Sequence, residues 1–199
     1  MQIIKNIKNL ALFTVCCIGL SACVSTPMPI NNAAIDYGDG NAKIRVDLAE
    51  VLVVNDSPTT AATQDLSQYG QSPEAALKEW AANRIAAVGR SGSFSIIIKD
   101  ANFAINRLAI DDGFGGWFKR QQEQRWDAYL NVMIAVDGSA SMLPPGEITI
   151  SVRSSQTLPE EASEEEKQQT YASVLNKLMT LFDAEAKKQM DQYFRAYYM

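Results

Sequence analysis

The sequence of 199 residues contains no histidine and three cysteines, and its 18 basic and 23 acidic side chains give a formal net charge of −5. Without histidine, a serine or cysteine nucleophile with an imidazole base is excluded, and so is a metal site with imidazole ligands. The acidic balance argues against a nucleic-acid-binding surface.

The amino terminus has the organisation of a secretory signal peptide. Lys5 and Lys8 precede a mostly apolar run over residues 10–19, and small residues follow. The apolar run is too short to cross a bilayer, which takes about 20 residues. All three cysteines, Cys16, Cys17 and Cys23, lie in or just after this run.

The four residues Leu20-Ser21-Ala22-Cys23 resemble the lipobox of bacterial lipoproteins. The resemblance implies that residues 1–22 are removed as a lipoprotein signal peptide and that Cys23 carries diacylglycerol. Because Val24 and not aspartate follows the cysteine, it also implies the inner leaflet of the outer membrane, facing the periplasm. The alternatives are a metal site, a disulfide and an uncleaved anchor. A zinc site needs four ligands, and no cysteine outside this stretch exists for a disulfide.

The segment after Cys23 predicts a tether. Residues 24–41 contain two prolines, several Asn and Asp residues, and no periodicity, so residues 23–41 would form a flexible chain with a reach of roughly 20–25 Å. Removal of residues 1–22 takes away two lysines and no acid, which leaves 16 basic and 23 acidic side chains and a net charge of −7. Acyl chains, and not attraction to anionic lipid, would therefore hold the protein at the membrane.

Residues 42–199 are long enough for a single domain with one core. A first strand is predicted over Lys43–Val54, with a bulge near Ala49-Glu50 that keeps Val51 and Val53 on the same face as the earlier apolar residues. A first helix is predicted over Pro73–Val88, with Ser72 as its N-cap and Gly89 at C′. Its apolar stripe consists of Leu77, Trp80, Ala81, Ile85 and Val88.

Three further strands and a second helix follow. The strands are predicted over Ser93–Ile105, Arg125–Val136 and residues 147–155, and the last two alternate as in an antiparallel sheet with one solvated face. The second helix is predicted from Leu158 to as far as Tyr198, about 35 residues or roughly 50 Å, so its end could project or bend. Ser163 and Glu166 form a predicted capping box. Its apolar stripe consists of Tyr171, Val174, Leu175, Leu178, Leu181, Phe182, Met190 and Phe194.

This order, β-α-β-β-β-α, predicts an α+β fold: a two-layer sandwich with two helices on one face of a four-stranded mixed, mostly antiparallel sheet. The first strand would make one parallel contact. The element order, over roughly 150 residues, is similar to that of small envelope lipoproteins. These include the lipopolysaccharide-assembly plug lipoprotein, auxiliary lipoproteins of ABC-type envelope transport, and activators of peptidoglycan synthases.

A glycine-containing connection between the second and third strands carries three aromatic residues, Phe114, Trp117 and Phe118, beside Gly115-Gly116. They are the candidate partner-binding residues, as a wedge that docks on a protein or enters lipid. The alternative is that the rings cap the open end of the core.

Three other groups have a functional and a structural interpretation. Asp100, Asp111, Asp112 and Asp127 could supply the carboxylate pair of a glycoside hydrolase or could be solvated turn and strand residues. The acidic segment Pro159–Lys167 could bind calcium or a partner, or could simply begin a helix. The aromatic carboxyl terminus could meet a membrane or partner or could pack on the first helix. Its rings are Tyr193, Phe194, Tyr197 and Tyr198.

These observations favour a non-enzymatic accessory or scaffold lipoprotein in envelope assembly or transport, anchored through acylated Cys23, with an envelope protein as its partner. No catalytic residue, cofactor site, metal site or nucleic-acid partner is expected. The alternatives are a tethered lipid or glycan carrier and a carboxylate-dependent hydrolase. A deep apolar cavity between sheet and helices would favour the carrier, and a filled core would favour the scaffold.

Overall fold

The computed structural model describes residues 42–58, 65–108, 122–138, 142–159 and 161–199. Cys23, the three rings at Phe114, Trp117 and Phe118, and Asp111 and Asp112 lie outside these ranges. The elements, in chain order, are β1 (Ile44–Val46), β2 (Glu50–Asn55), α1 (Pro73–Arg84), β3 (Ile85–Ala87), β4 (Ser93–Arg107), β5 (Gln122–Asp137), β6 (Gly146–Pro159), α2 (Glu164–Tyr193) and a short 3-10 helix (Arg195–Tyr197).

The main sheet has four strands in the order β2-β4-β5-β6. β2 is parallel to β4, and the two other pairings are antiparallel. The predicted α+β fold and its single parallel contact within a mixed sheet are therefore confirmed. A separate two-stranded sheet, which the sequence did not predict, consists of β1 and β3 in parallel pairing.

The predicted first strand is divided by a bend at residues 47–49, where a bulge had been expected. The chain opposite bends as well, and pairing continues across the bend: the Val88 amide donates to the Val46 carbonyl and the Gly89 amide donates to the Leu48 carbonyl, each at 3.0 Å. A Cβ at Gly89 would lie 2.5 Å from the Asp47 carbonyl carbon. Glycine is required here by this close approach, so its predicted role as a helix C′ residue is wrong.

The first helix is shorter than predicted. Ser72 caps it as expected, since its Oγ accepts the Ala75 amide at 3.1 Å. The helix ends at Arg84 because Ile85–Ala87 pairs with β1. Ile85 is buried as predicted, although it belongs to β3 and not to α1. Val88 is 38% exposed.

The second helix has 30 residues, Glu164–Tyr193, and begins later than predicted because β6 continues to Pro159. The capping box of Ser163 and Glu166 is present. After Tyr193 the chain turns back instead of projecting, and the Asp47 amide donates to the Tyr197 carbonyl at 2.7 Å. The sheet accommodates the helix because β4 and β5 have 15 and 16 residues, about 50 Å at the usual rise.

Both helices pack on the same face of the sheet, and the space between the layers is filled by large side chains. Trp80 and Phe182 meet edge to face at 4.9 Å between ring centroids, and both are fully buried. Most residues of the predicted helical stripes lie in this core. One member, Leu181, is 39% exposed and lies outside it.

Candidate binding surfaces

The domain has two distinct ends, which we call proximal and distal. At the proximal end β4 begins and β5 ends, and the carboxyl terminus lies beside the start of β1, where the Met199 amide donates to the Arg45 carbonyl at 3.1 Å. At the distal end β4 finishes at Arg107, β5 starts at Gln122 and α2 begins. The chain that enters at Ala42 forms β1 beside the carboxyl terminus, and the connection that contains the aromatic trio attaches at the distal end.

Four aromatic rings cover the distal end of the core. Phe103 and Tyr171 stack with ring centroids 4.3 Å apart, and Tyr69 meets Trp126 edge to face at 5.2 Å. The Tyr171 hydroxyl donates to the Gln71 carbonyl at 2.9 Å, and burial raises the pKa of this tyrosine to about 12. The sequence predicted Trp126 and Tyr171 as core residues but did not predict this cluster.

A surface groove of about 390 Å³ lies beside the cluster, between the segment before α1 and strand β4. Its floor is apolar and includes Pro73, Ala101 and Phe103. Its rim is polar, and the Ser67 amide and hydroxyl lower the pKa of Asp65 by hydrogen bonding to its carboxylate. The groove is thus lined by both polar and apolar groups.

A second groove, of about 420 Å³, lies on the open face of the sheet, opposite the helices. Tyr129 and Arg153 are directly opposite each other on β5 and β6, and the guanidinium lies 4.8 Å from the ring centroid, as in a cation–π pair. We call this feature the polar groove. It is lined by Asp100, Asn102, Arg125, Asp127, Ala128, Tyr129, Arg153, Ser154 and Ser155.

Two of the four candidate carboxylates, Asp100 and Asp127, line the polar groove. Asp127 accepts a hydrogen bond from Asn106 at 2.7 Å and an ion-pair contact from Arg125 at 2.9 Å. Both donors bind the same oxygen, Oδ2, and hold the Asp127 carboxylate on the surface of the sheet.

The acidic segment at the start of α2 caps the amino terminus of this helix. The Glu166 amide donates to Ser163 Oγ at 3.2 Å, the Ser163 amide donates to the Glu166 carboxylate at 2.8 Å, and Lys167 pairs with Glu164 at 2.6 Å. Among the described residues, no group of three or more acidic, histidine or cysteine side chains is placed to hold a metal ion. The segment begins α2 with the predicted capping box.

The carboxyl-terminal aromatic residues divide between core and surface. Phe194 and Tyr197 are buried in the core, where Phe194 lies beside Gly146 and Tyr197 lies beside Gly138. Tyr197 also donates a hydrogen bond to the Pro144 carbonyl. Tyr193 is 60% exposed and is the ring of this group that stays available to a partner.

Over the part of the chain that the structure describes, no helix combines the length and the apolar character needed to cross a membrane.

No family model matches the chain, and no curated protein matches it in sequence. Among solved structures, rare lipoprotein B from Shewanella oneidensis is 9% identical and aligns over 72% of this chain and 98% of its own, with a TM-score of 0.35. A minor lipoprotein from Acinetobacter baumannii is 9% identical over 72% of this chain and 91% of its own, with a TM-score of 0.36. Uncharacterized lipoprotein B from Nitrosomonas europaea is 10% identical over 76% and 93%, with a TM-score of 0.40. Identities and scores this low carry no conclusion about family, anchoring or function.

Proposed function

We propose that this protein is a lipid-anchored lipoprotein of the bacterial outer membrane that faces the periplasm and acts as a non-enzymatic accessory or scaffold in envelope assembly or transport. The observation that carries the proposal is the sequence Leu20-Ser21-Ala22-Cys23 after a short apolar run with Lys5 and Lys8 before it. Acylation of Cys23 would hold the mature chain on the bilayer, because two or more acyl chains anchor stably.

The geometry of the domain supports a role at a distance from the membrane. A tether over residues 23–41 would have a reach of about 20–25 Å. It would enter the domain at Ala42, whose carbonyl accepts a hydrogen bond from the Arg84 guanidinium at 2.7 Å. Arg84 pairs with Asp183, and α2 spans about 30 Å from Asp183 back to its start at the distal end. A domain held in this way presents its distal end to the periplasm.

The aromatic trio fits this arrangement as a protein contact. Its connection leaves β4 at Arg107 and returns to β5 at Gln122, so both attachment points are at the distal end. A contact there with the bilayer that holds Cys23 would require the domain to lie flat or fold back. We therefore assign Phe114, Trp117 and Phe118 to an envelope protein partner and not to lipid.

A scaffold is favoured over a carrier by the packing between the two layers. A carrier needs an apolar cavity, and binding cavities for small molecules enclose most of the ligand. Here the layers are filled by side chains such as Trp80, Trp126 and Phe182, each with no exposed surface. The grooves at Phe103 and Tyr129 are open at the surface and suit recognition of another molecule.

Labelling with an alkyne fatty acid tests the anchor. Cells that produce the full chain should incorporate the label into the wild-type protein and not into Cys23→Ser, and the wild type should float with outer-membrane vesicles. Cys17→Ser is the matched control and should label as the wild type does. Equal labelling of the wild type and Cys23→Ser would overturn the proposal.

A further inference from the structure

β6 forms one of the two edges of the main sheet, and its backbone polar groups alternate between the neighbouring strand and the outside. In antiparallel pairing, one residue exchanges both of its hydrogen bonds with the partner strand and the next directs both outward. The residues that point outward can be identified from two independent contacts.

The first contact lies at the other side of the sheet. The Ile98 carbonyl accepts the Asp56 amide at 2.9 Å. Up to the bulge of β4 after Ile98, the even-numbered residues of β4 therefore direct their backbone amides and carbonyls toward β2. Odd-numbered residues of β4 therefore bond to β5, where Ile97 is opposite Met133. The even-numbered residues of β5 must then bond to β6, where Val132 is opposite Ile150. By this count the odd-numbered residues of β6 point outward.

The second contact lies on β6 itself. The Gln189 side-chain amide approaches the Thr149 carbonyl at 3.5 Å, which requires that this odd-numbered carbonyl be turned away from β5. The two observations agree. Ser151, Arg153 and Ser155 consequently direct their amides and carbonyls to the outside, and no described residue hydrogen-bonds these outward groups.

This edge lacks most of the devices by which proteins block edge strands. Exposed edges are usually short, or interrupted by proline, a bulge or several charges. β6 has 14 residues, and its only proline is the last residue, Pro159. Its register with β5 is continuous from Gly146 to Leu158. Between residues 148 and 159 the only charged side chain is Arg153, which lies back over the Tyr129 ring.

The side chains along the β6 edge indicate which kind of chain segment it would bind. The residues whose backbone groups point outward carry their side chains on the open face of the sheet. There the small polar side chains of Ser151 and Ser155 lie on either side of Arg153. Arg153 also lines the polar groove, where its guanidinium is supported by Tyr129 and is not paired with a carboxylate among the ion pairs of the described residues. Because the nearest carboxylate on the adjacent strand, Asp127, is already bound by Arg125, an incoming acidic side chain would meet an available cation.

We propose that the β6 edge binds an extended segment of a partner protein, which adds a fifth strand to the sheet and places an acidic side chain against Arg153. Main-chain hydrogen bonds to Ser151, Arg153 and Ser155 would supply the affinity, and the polar groove would select the acidic residue. The inference uses only the four strands of the main sheet, Asp56 and Gln189, so it stands or falls independently of acylation at Cys23 and of the aromatic trio.

Photocrosslinking in the cells that naturally produce the protein tests the proposal. A benzophenone amino acid is placed at Ser151 or at Ser155 of the full chain, and on the exposed face of α2 at Lys177 as a control. The two edge positions should crosslink to one segment of one protein, and the crosslinked residues should differ by about four positions, since paired strands have the same rise. No adduct at either edge position, or adducts without this offset, would overturn the proposal.

Two variants separate strand addition from other contacts at the same place. Ser155→Pro removes one outward amide and no bond to β5, and should reduce the adduct at Ser151 about fivefold, whereas Ser155→Ala should not. Arg153→Glu should reduce it about tenfold or more through like-charge repulsion with the acidic residue. Adducts that are insensitive to both Ser155→Pro and Arg153→Glu would contradict a fifth strand.

Discussion

Arg84 on α1 and Asp183 on α2 form a buried, two-point ion pair. Arg84 Nε lies 2.8 Å from Asp183 Oδ1, and Nη2 lies 3.1 Å from Oδ2. Trp80 Nε1 also donates to Asp183 Oδ1, at 2.7 Å. Charges are taken out of water at a high cost unless they are fully paired, so this cluster fixes how the two helices cross the sheet. Through the Ala42 carbonyl it also fixes the point where the chain enters the domain.

The first prediction concerns this pair. Asp183→Ala leaves the Arg84 guanidinium buried without its carboxylate, and should lower the free energy of unfolding by about 3–5 kcal/mol. The melting temperature should fall by roughly 10 °C or more. The matched control is Glu185→Ala on the same helix, which breaks the exposed pair with Lys188 and should cost under about 1 kcal/mol. Equal melting temperatures for the two variants would show that the buried pair is not needed for stability.

The second prediction uses the raised pKa of Tyr171. Burial raises it to about 12, above the value of about 10 in an unfolded chain. The neutral ring therefore contributes stability that is fully present below pH 10 and is lost as the pH rises toward 12. Absorbance titration at 295 nm should show a tyrosinate that forms near pH 12 in the wild type and is missing in Tyr171→Phe. If the difference curve instead has its midpoint near pH 10, the ring is solvated and the distal cluster is not packed as described.

The third prediction tests the alternation of β6 with the pair Ser154 and Ser155. The Ser154 amide faces β5, so Ser154→Pro removes a ladder hydrogen bond, leaves an acceptor on β5 without its donor, and should cost about 2–3 kcal/mol. The Ser155 amide faces outward, so Ser155→Pro should be tolerated, as proline is on edge strands, with a loss of about 1 kcal/mol or less. Thermal melts of the two purified variants decide between these outcomes, and the reverse order of stability would mean that the outward set is the even-numbered one.

The strands were predictable because their side chains alternate. The period-2 pattern of Trp126 to Val136 faces the core, and the alternation of β6 places Ile148 and Ile150 on the same buried face. The strands are longer than predicted. Residues such as Gln156 and Thr157 have no apolar pattern and are ordered by backbone pairing. Pairing between strands, and not propensity, determines how far the sheet extends.

The features that sequence reasoning missed all depend on contacts between distant parts of the chain. Ile85 and Val88 continue the spacing of the first helix, yet Ile85–Ala87 forms a strand because β1, about 40 residues earlier, offers it a partner. Asp183 looked like an ordinary polar residue of a long helix until Arg84, 99 residues away, was placed beside it. The outward groups of β6 likewise have no local signature, because they are defined by the order of the four strands.

The last prediction concerns Trp117, which lies outside the described residues and whose role stays open to experiment. If the ring is an anchor for an envelope protein, Trp117→Ala should weaken that complex by about 2 kcal/mol or more while it changes stability by under roughly 0.5 kcal/mol. If the ring caps the core, the same substitution should lower the free energy of unfolding by about 3–5 kcal/mol.

Trp126→Ala provides the reference within this chain, because that ring is fully buried at the same end of the sheet and should show the full loss of stability. The measurement is the melting temperature of each variant beside its recovery of partner in a crosslinking pull-down from intact envelopes. A Trp117→Ala protein that melts like the wild type and loses its partner supports the contact at the distal end. One that melts like Trp126→Ala places Trp117 in the core, because truncating a solvent-exposed ring leaves no cavity and only a buried ring can cost that much.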